Sequence, residues 1–194
     1  MENQSSAPIL QPALKYGAIV GLASIVFGLI LYFLDQSFET WAMIAGSIIS
    51  FGLIIVTLVM YRSEYASKGL SYGRVVGMAV LIGLFSSILS GIYTFTIYTA
   101  DEGYLQDVKY YSMEKVDERM DKTEAKYMDR LSDDQLDAFE TRMDAAREKA
   151  MGKIKKSTPF TYARQGIFGS VFMSALLGLI AGIFLRKKPE QIQS

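Results

Sequence analysis

A row of carboxylates has the spacing in this sequence that is best suited to binding a cation or a charged partner. Five of them recur at intervals of three and four residues, which places them along one face of a helix. They are Asp133, Asp137, Glu140, Asp144 and Glu148. The row could hold a divalent cation, but it lacks the loop geometry and the crowded oxygen ligands of a calcium site. We therefore expect a solvated face that a partner protein can bind, and no metal site.

Few other groups could act as catalysts. The chain contains no cysteine and no histidine, which excludes disulfides, thiolate chemistry and the commonest zinc ligands and general bases. A membrane enzyme would need clustered carboxylates near the bilayer, for which Asp101, Glu102 and Asp107 are the only candidates. Methionines lie in the same region, but none forms a close Met-x-x-Met pair, so core filling explains them better than copper binding. We predict a non-enzymatic protein without a cofactor.

Four apolar stretches of about 20 residues position these groups, and each is long enough to cross a bilayer. We predict transmembrane helices at residues 16–34, 41–60, 75–99 and 166–185. None has an ionisable residue in its interior, which argues against a proton-coupled exporter, a pump subunit or an intramembrane protease. The prolines all lie outside the four stretches, so continuous helices are expected. Residues 1–15 and 186–194 are predicted to be polar tails.

Charge in the short connections predicts the orientation. The loop 61–74 and the segment after the last span are basic. The turn at residues 35–40 has no basic residue, and its only charged residues are Asp35 and Glu39. The basic residues are Lys15, Arg62, Lys68, Arg74, Arg186, Lys187 and Lys188. Because cytoplasmic loops are enriched in Lys and Arg, we expect both termini in the cytoplasm of an inner-membrane protein. Tyr16, Tyr61 and Tyr72 would then be anchors at the inner interface.

Small residues recur every fourth position in two of the spans. The predicted packing positions are Gly83, Ser87 and Gly91 in the third span, and Gly166, Ser170, Ser174, Gly178 and Gly182 in the fourth. Such stripes let helix backbones approach closely in lipid. We expect them to pack the four helices together, and dimerisation is the alternative.

The long polar insert, residues 101–165, is predicted to be helical and to lie outside the cell membrane. It holds 13 basic and 15 acidic residues, with no proline before Pro159. Apolar seams predict helices at about Gln106–Leu131 and Asp133–Lys155, and Ser132 with Gln135 fits a capping box between them. The similar lengths permit a hairpin, in which Met120 and Phe139 would face inward. The alternative is an amphipathic pair lying on the outer leaflet.

The whole chain resembles a bacterial family recorded only as a domain of unknown function, made of four-helix inner-membrane proteins common in Bacteroidota. The resemblance rests on the Gly/Ser-rich first hairpin, the stretch Tyr65–Arg74, the break Leu131–Gln135 and the basic ending. Asp101-Glu102-Gly103 departs from the acidic residue and proline that family members often carry there. The resemblance implies a location and an architecture, and it implies no activity.

These patterns predict an all-α membrane protein with four transmembrane helices and an extracytoplasmic two-helix insert between the third and the fourth. The leading hypothesis is a protein that presents the insert to a partner in the envelope. The alternative is a small transport or permeability component that forms a polar path as a homo-oligomer. Zero net charge gives no reason to expect nucleic-acid binding, and no small-molecule ligand is identifiable beyond the lipid bilayer itself.

Overall fold

The computed structural model describes residues 8–65, 70–128 and 133–186, and in these ranges the chain is all helical. The helices are α1 (Leu10–Phe33), α2 (Thr40–Tyr65), α3 (Tyr72–Ala100), α4 (Glu102–Met128), α5 (Asp133–Lys155) and α6 (Pro159–Leu185). Four of them, α1, α2, α3 and α6, are long and apolar enough to cross a membrane. The prediction of an all-helical chain with four helices that could span a membrane is confirmed, and these helices suggest a multi-pass membrane protein.

The helices extend beyond the apolar stretches that predicted them. α1 begins at Leu10, inside the segment expected to be a tail, and α2 continues to Tyr65 into the expected loop. α6 begins at Pro159, well before Gly166. Hydropathy locates the part of a helix that lipid can cover, whereas the hydrogen-bonded helix continues until its last turn is capped. Lys68, Leu131, Ser132, Lys187 and Lys188, which entered the predictions, lie outside the described residues.

Side-chain caps stabilise the first turns of α4 and α6. The Asp101 carboxylate accepts a hydrogen bond from the N–H of Tyr104 at 2.9 Å and caps α4. Thr158 and Thr161 cap α6 reciprocally, because the N–H of each donates to the Oγ1 of the other at 3.3 Å. Both caps were missed in the sequence, where these residues were assigned to the polar insert without a structural role.

α1 ends in a tight backbone motif that turns the chain toward α2. The N–H of Gln36 donates to the carbonyl of Leu31 at 2.9 Å, and the N–H of Asp35 donates to the carbonyl of Tyr32 at 3.2 Å. Asp35 has a φ of 56°, the left-handed conformation in which this motif usually places glycine. The short turn predicted at residues 35–40 therefore has a defined geometry.

The chain divides into two compact units, of which the second comprises Phe95–Tyr162. The core of the first unit contains fully buried side chains from several helices, including Tyr16, Leu58, Met78 and Ile82. α3 is its central element: 44% of its apolar window is buried, against 17–28% for the other three apolar helices. Outward-facing rings such as Phe168 and Phe184 are about 70% exposed, which suits a surface that contacts lipid acyl chains.

Candidate functional site

The small residues of α6 pack against α3 over part of their length. A Cβ atom added at Gly178 would lie 2.6 Å from the Cβ of Ala79, and one at Gly182 would lie 2.9 Å from the Tyr72 ring. A Cβ at Gly83 would overlap the side chain of Ser174. On α3, Ser87 is buried and Gly91 lies against Ile167. These positions allow two helix backbones to approach closely.

The first residue of the predicted α6 stripe, Gly166, does not belong to this contact, and Ser170 reaches it only with its carbonyl oxygen, 3.5 Å from a Cβ added at Gly83. Gly166 and Ser170 are exposed, and a Cβ at Gly166 would meet no described atom within 4 Å. The reason is geometric: a step of four residues advances about 40° around an α-helix, so a strict four-residue row turns away from one contact line. Ala163 and Ile167 take these places instead, at spacings of eleven and seven residues before Ser174.

The hydroxyl groups in this contact are satisfied by their own helices. Ser87 donates to the carbonyl of Leu84 at 2.9 Å, and Ser174 donates to the carbonyl of Ser170 at 2.8 Å. Ser86, whose backbone lies against Gly17 and Gly21 of α1, donates to the carbonyl of Gly83 at 3.1 Å. A serine that bonds within its own turn adds little polarity to its surroundings. These groups therefore serve close packing.

A polar contact between α1 and α2 was missed from the sequence. The Tyr16 hydroxyl donates to Glu64 at 2.7 Å, and the ammonium group of Lys15 lies 3.6 Å from the same carboxylate oxygen. Tyr16 and Tyr61 are both fully buried, so the prediction that they are interface anchors is wrong. Glu64 had been placed in a loop, and only the extension of α2 to Tyr65 brings it against α1.

In the second unit, α4 and α5 run antiparallel and contact each other along their lengths; we call them the α4/α5 pair. Lys109 donates to the carbonyl of Lys155 at 3.3 Å near one end, and the rings of Tyr127 and Phe139 are 5.9 Å apart near the other. Met120 and Phe139 are half-buried. Within the described part of the pair, Leu105 and Val108 are the only buried residues. The pair therefore has little apolar core.

Charge contributes much of the contact between these two helices. Arg147 of α5 lies 3.3 Å from Asp117, 2.7 Å from Asp121 and 3.5 Å from Glu124, all on α4. Its hydrogen bond to Asp121 raises the pKa of the guanidinium above the ordinary value. The three carboxylates share one face of α4, at spacings of four and three. Sequence reasoning missed Arg147, although an antiparallel arrangement of the two predicted helices brings it opposite these three carboxylates.

The predicted acidic row continues this negative surface on α5. Asp137, Asp144 and Glu148 are exposed and Glu140 is half-buried, while Asp133 begins the helix and its side chain lies outside the described residues. Glu140 and Asp144 stand seven and three residues before Arg147, hence on the same side of α5. We call the combined surface the acidic face: Asp117, Asp121, Glu124, Asp137, Glu140, Asp144 and Glu148.

The acidic face is open rather than chelating. In the described residues, Asp137, Glu140, Asp144 and Glu148 form no ion pair, and no group of three or more His, Cys, Asp or Glu side chains converges as metal ligands do. Exposed carboxylates of this kind attract a basic surface over about 10 Å at ordinary salt. The arrangement suits the recognition of a positively charged partner.

The three carboxylates considered for catalysis have other surroundings. Asp101 caps α4, and Glu102 is exposed in the first turn of that helix. Asp107 lines a shallow groove of about 560 Å³ beside Lys109, Tyr110 and Lys155. Lys109 is engaged with the last carbonyl of α5, where a cation also complements the helix dipole. This groove is a consequence of how α5 ends.

Comparison with known proteins agrees with the resemblance found in the sequence. A family model described as a protein of unknown function (DUF4199) matches residues 15–187. No similar protein was found among curated proteins, and no similar structure among solved ones.

Proposed function

Since the chain belongs to the DUF4199 family, described only as proteins of unknown function, we propose from its own structure that it is an inner-membrane protein that binds a protein partner through the α4/α5 pair. The observation that carries this proposal is the acidic face. Three of its seven carboxylates contact the Arg147 guanidinium, and the other four form no ion pair with any described residue. The partner surface would be basic, because opposite charges steer encounter and set register.

The orientation supports an extracytoplasmic position for the pair. Arg62, Arg74 and Arg186 lie at ends of α2, α3 and α6 that would share one side of the membrane if each apolar helix crosses it once. By the positive-inside rule this side is the cytoplasm, which puts both termini there and the α4/α5 pair outside. Reporter fusions after Arg186 should then be active in the cytoplasm, and fusions between α4 and α5 should be exported.

Binding fits the surface better than catalysis does. The acidic carboxylates face water, where charged groups act mainly by attraction and by tuning association. In the described apolar helices, Ser87 and Ser174 of the α3–α6 contact are bonded to their own turns, which gives no support to a polar path through one protomer. The role we propose is therefore docking at the membrane surface.

The test combines a deletion with a charge reversal in the native host. Residues 108–155 are replaced by a short Gly/Ser linker, and separately Asp137 and Asp144 are changed to Lys. Both variants should insert normally, and both should lose function and partner capture. Asp107→Lys reverses one charge outside the acidic face and should keep both. Full complementation by the deletion would overturn the proposal, because the α4/α5 pair would then be dispensable.

A further inference from the structure

The α4/α5 pair carries a second charged surface of opposite sign, which we call the basic face: Arg119, Lys126, Arg142, Lys149 and Lys153. All five side chains are exposed, and none forms an ion pair with a described residue. Neighbouring Lys115 and Lys122 differ, since both are bound to Glu118 at 2.7 and 2.6 Å. The basic face therefore presents cationic side chains without an ion pair to a described residue. On the acidic face, Asp137, Glu140, Asp144 and Glu148 are in the same position.

The two faces lie on opposite sides of the pair. Two residues along an α-helix span about 200°, so side chains at that spacing point away from each other. Opposite charges alternate at this spacing, as in Asp117, Arg119, Asp121 on α4 and Glu140, Arg142, Asp144 on α5. The Arg147 contacts show that the acidic flanks of α4 and α5 share one side. The basic residues of both helices are therefore left on the other side.

The faces also match in level along the pair. Arg119 lies between Asp117 and Asp121 in the same turns of α4, and Arg142 lies between Glu140 and Asp144 in the same turns of α5. Suppose that a second copy stands beside the first with its helices running in the same directions. Its basic residues would then lie opposite the acidic residues of the first copy, at the same height along the helices. Like charges would meet if the same face were used by both copies, which is unfavourable.

We propose that the partner of the acidic face is the basic face of a second copy of this chain. The inference rests on the proposed function, because it takes the α4/α5 pair as the binding surface. Charge complementarity carries it: each copy presents both halves of the contact, and the insert is nearly balanced, with 13 basic and 15 acidic residues. Such a contact is heterologous, so successive copies form a closed ring or an open row in the membrane.

The first experiment determines which faces meet. The chain has no cysteine, so single cysteines can be introduced without background. Copies with Asp144→Cys and copies with Arg142→Cys carry different tags and are expressed together, and membranes are treated with a short bis-maleimide. The mixed crosslink should form, and crosslinks between two copies of the same variant should be weak. Same-variant crosslinks alone, crosslinks to a different protein alone, or none at all would overturn the inference.

The second experiment exchanges the charges. Asp137→Lys with Glu148→Lys in the copy that offers its acidic face should reduce the mixed crosslink about tenfold, because like charges then face each other. Lys126→Glu with Lys149→Glu in the other copy, which lie nearest in level to these two positions, should have the same effect. Combining the two reversed copies should restore the crosslink. A simple folding defect would not be rescued in this way, and failure of rescue would refute the pairing.

The two proposals fail in different ways. If the deletion of residues 108–155 abolishes function while no crosslink forms between copies, the pair binds another protein and only this inference is wrong. If copies crosslink through the two faces but the deletion complements fully, the contact exists and the proposed function is wrong. Salt gives a further readout, because the mixed crosslink should weaken as ionic strength rises from about 0.05 to about 0.5 M.

Discussion

The two units of this chain are held together by different interactions. In the first unit, Tyr16, Met78 and Ile82 are fully buried, and glycines allow helix backbones to touch. In the second unit, α5 has no buried residue among those described, and Arg147 binds three carboxylates of α4. Shape therefore dominates where lipid surrounds the helices, since lipid gives no hydrophobic drive between them. In the second unit ion pairs join half-buried apolar side chains in the contact, and further exposed charges remain for another molecule to bind.

The largest effect should come from filling the close contact of the first unit. Gly178→Ala places a methyl group 2.6 Å from the Cβ of Ala79, so the helices must separate, and we expect a loss of about 1–3 kcal/mol. Gly166→Ala is the matched control on the same helix, where the methyl meets open space and should stabilise the helix by about 0.5–1 kcal/mol. Unfolding in detergent measures both. Equal effects at the two positions would contradict a specific contact.

Removing the charge contact should weaken only the second unit. Arg147→Met leaves Asp117, Asp121 and Glu124 without their shared cation, so their mutual repulsion should lower the unfolding temperature of α4 and α5. Added salt should restore part of the loss by screening. Arg142→Met, which removes a cation without a described ion pair, should have little effect. Hydrogen exchange resolved by helix measures the effect, and loss of protection in α1 and α2 would contradict an effect confined to α4 and α5.

The cap at the start of α4 should contribute a moderate, local effect. Asp101→Ala leaves the N–H of Tyr104 without its acceptor at 2.9 Å and should cost about 1 kcal/mol. Asp101→Asn should cost much less, because the amide oxygen can accept the same bond. Faster exchange of the first-turn amides of α4 is the measurement. If Asn and Ala behave alike, the carboxylate does not act as a cap.

The smallest effect concerns acid. Hydrogen bonds from Lys115 and Lys122 lower the pKa of Glu118 to about 2, below its ordinary value of 4.5. The stabilisation is therefore complete above about pH 4.5 and is lost as the pH falls toward 2. Glu118 is exposed, so the change in α4 should be slight and should shrink in high salt. Glu118→Gln should remove this part of the acid response, and an unchanged pH profile would show that the two ion pairs contribute nothing.

Much of the architecture could be predicted from local patterns. Apolar length predicts the four membrane helices because a bilayer requires about 20 apolar residues whatever the neighbours are. The charged insert predicts helices because its period and composition act within a few turns, and α5 spans Asp133–Lys155 as expected. The acidic row is also local, since residues three and four apart share a face in any helix.

Only the tertiary structure decided which of these features meet. The stripe in α6 looked continuous from Gly166 to Gly182, yet the contact with α3 follows Ala163, Ile167 and Ser174 before reaching Gly178. Arg147 gained its role from carboxylates of α4 that lie 23 to 30 residues earlier in the chain. Pairing of helices depends on crossing angle and rotation, which no single helix contains in its own sequence pattern. The periodicity of a sequence shows which residues share one face of a helix. Which other helix contacts that face is decided only when the helices pack.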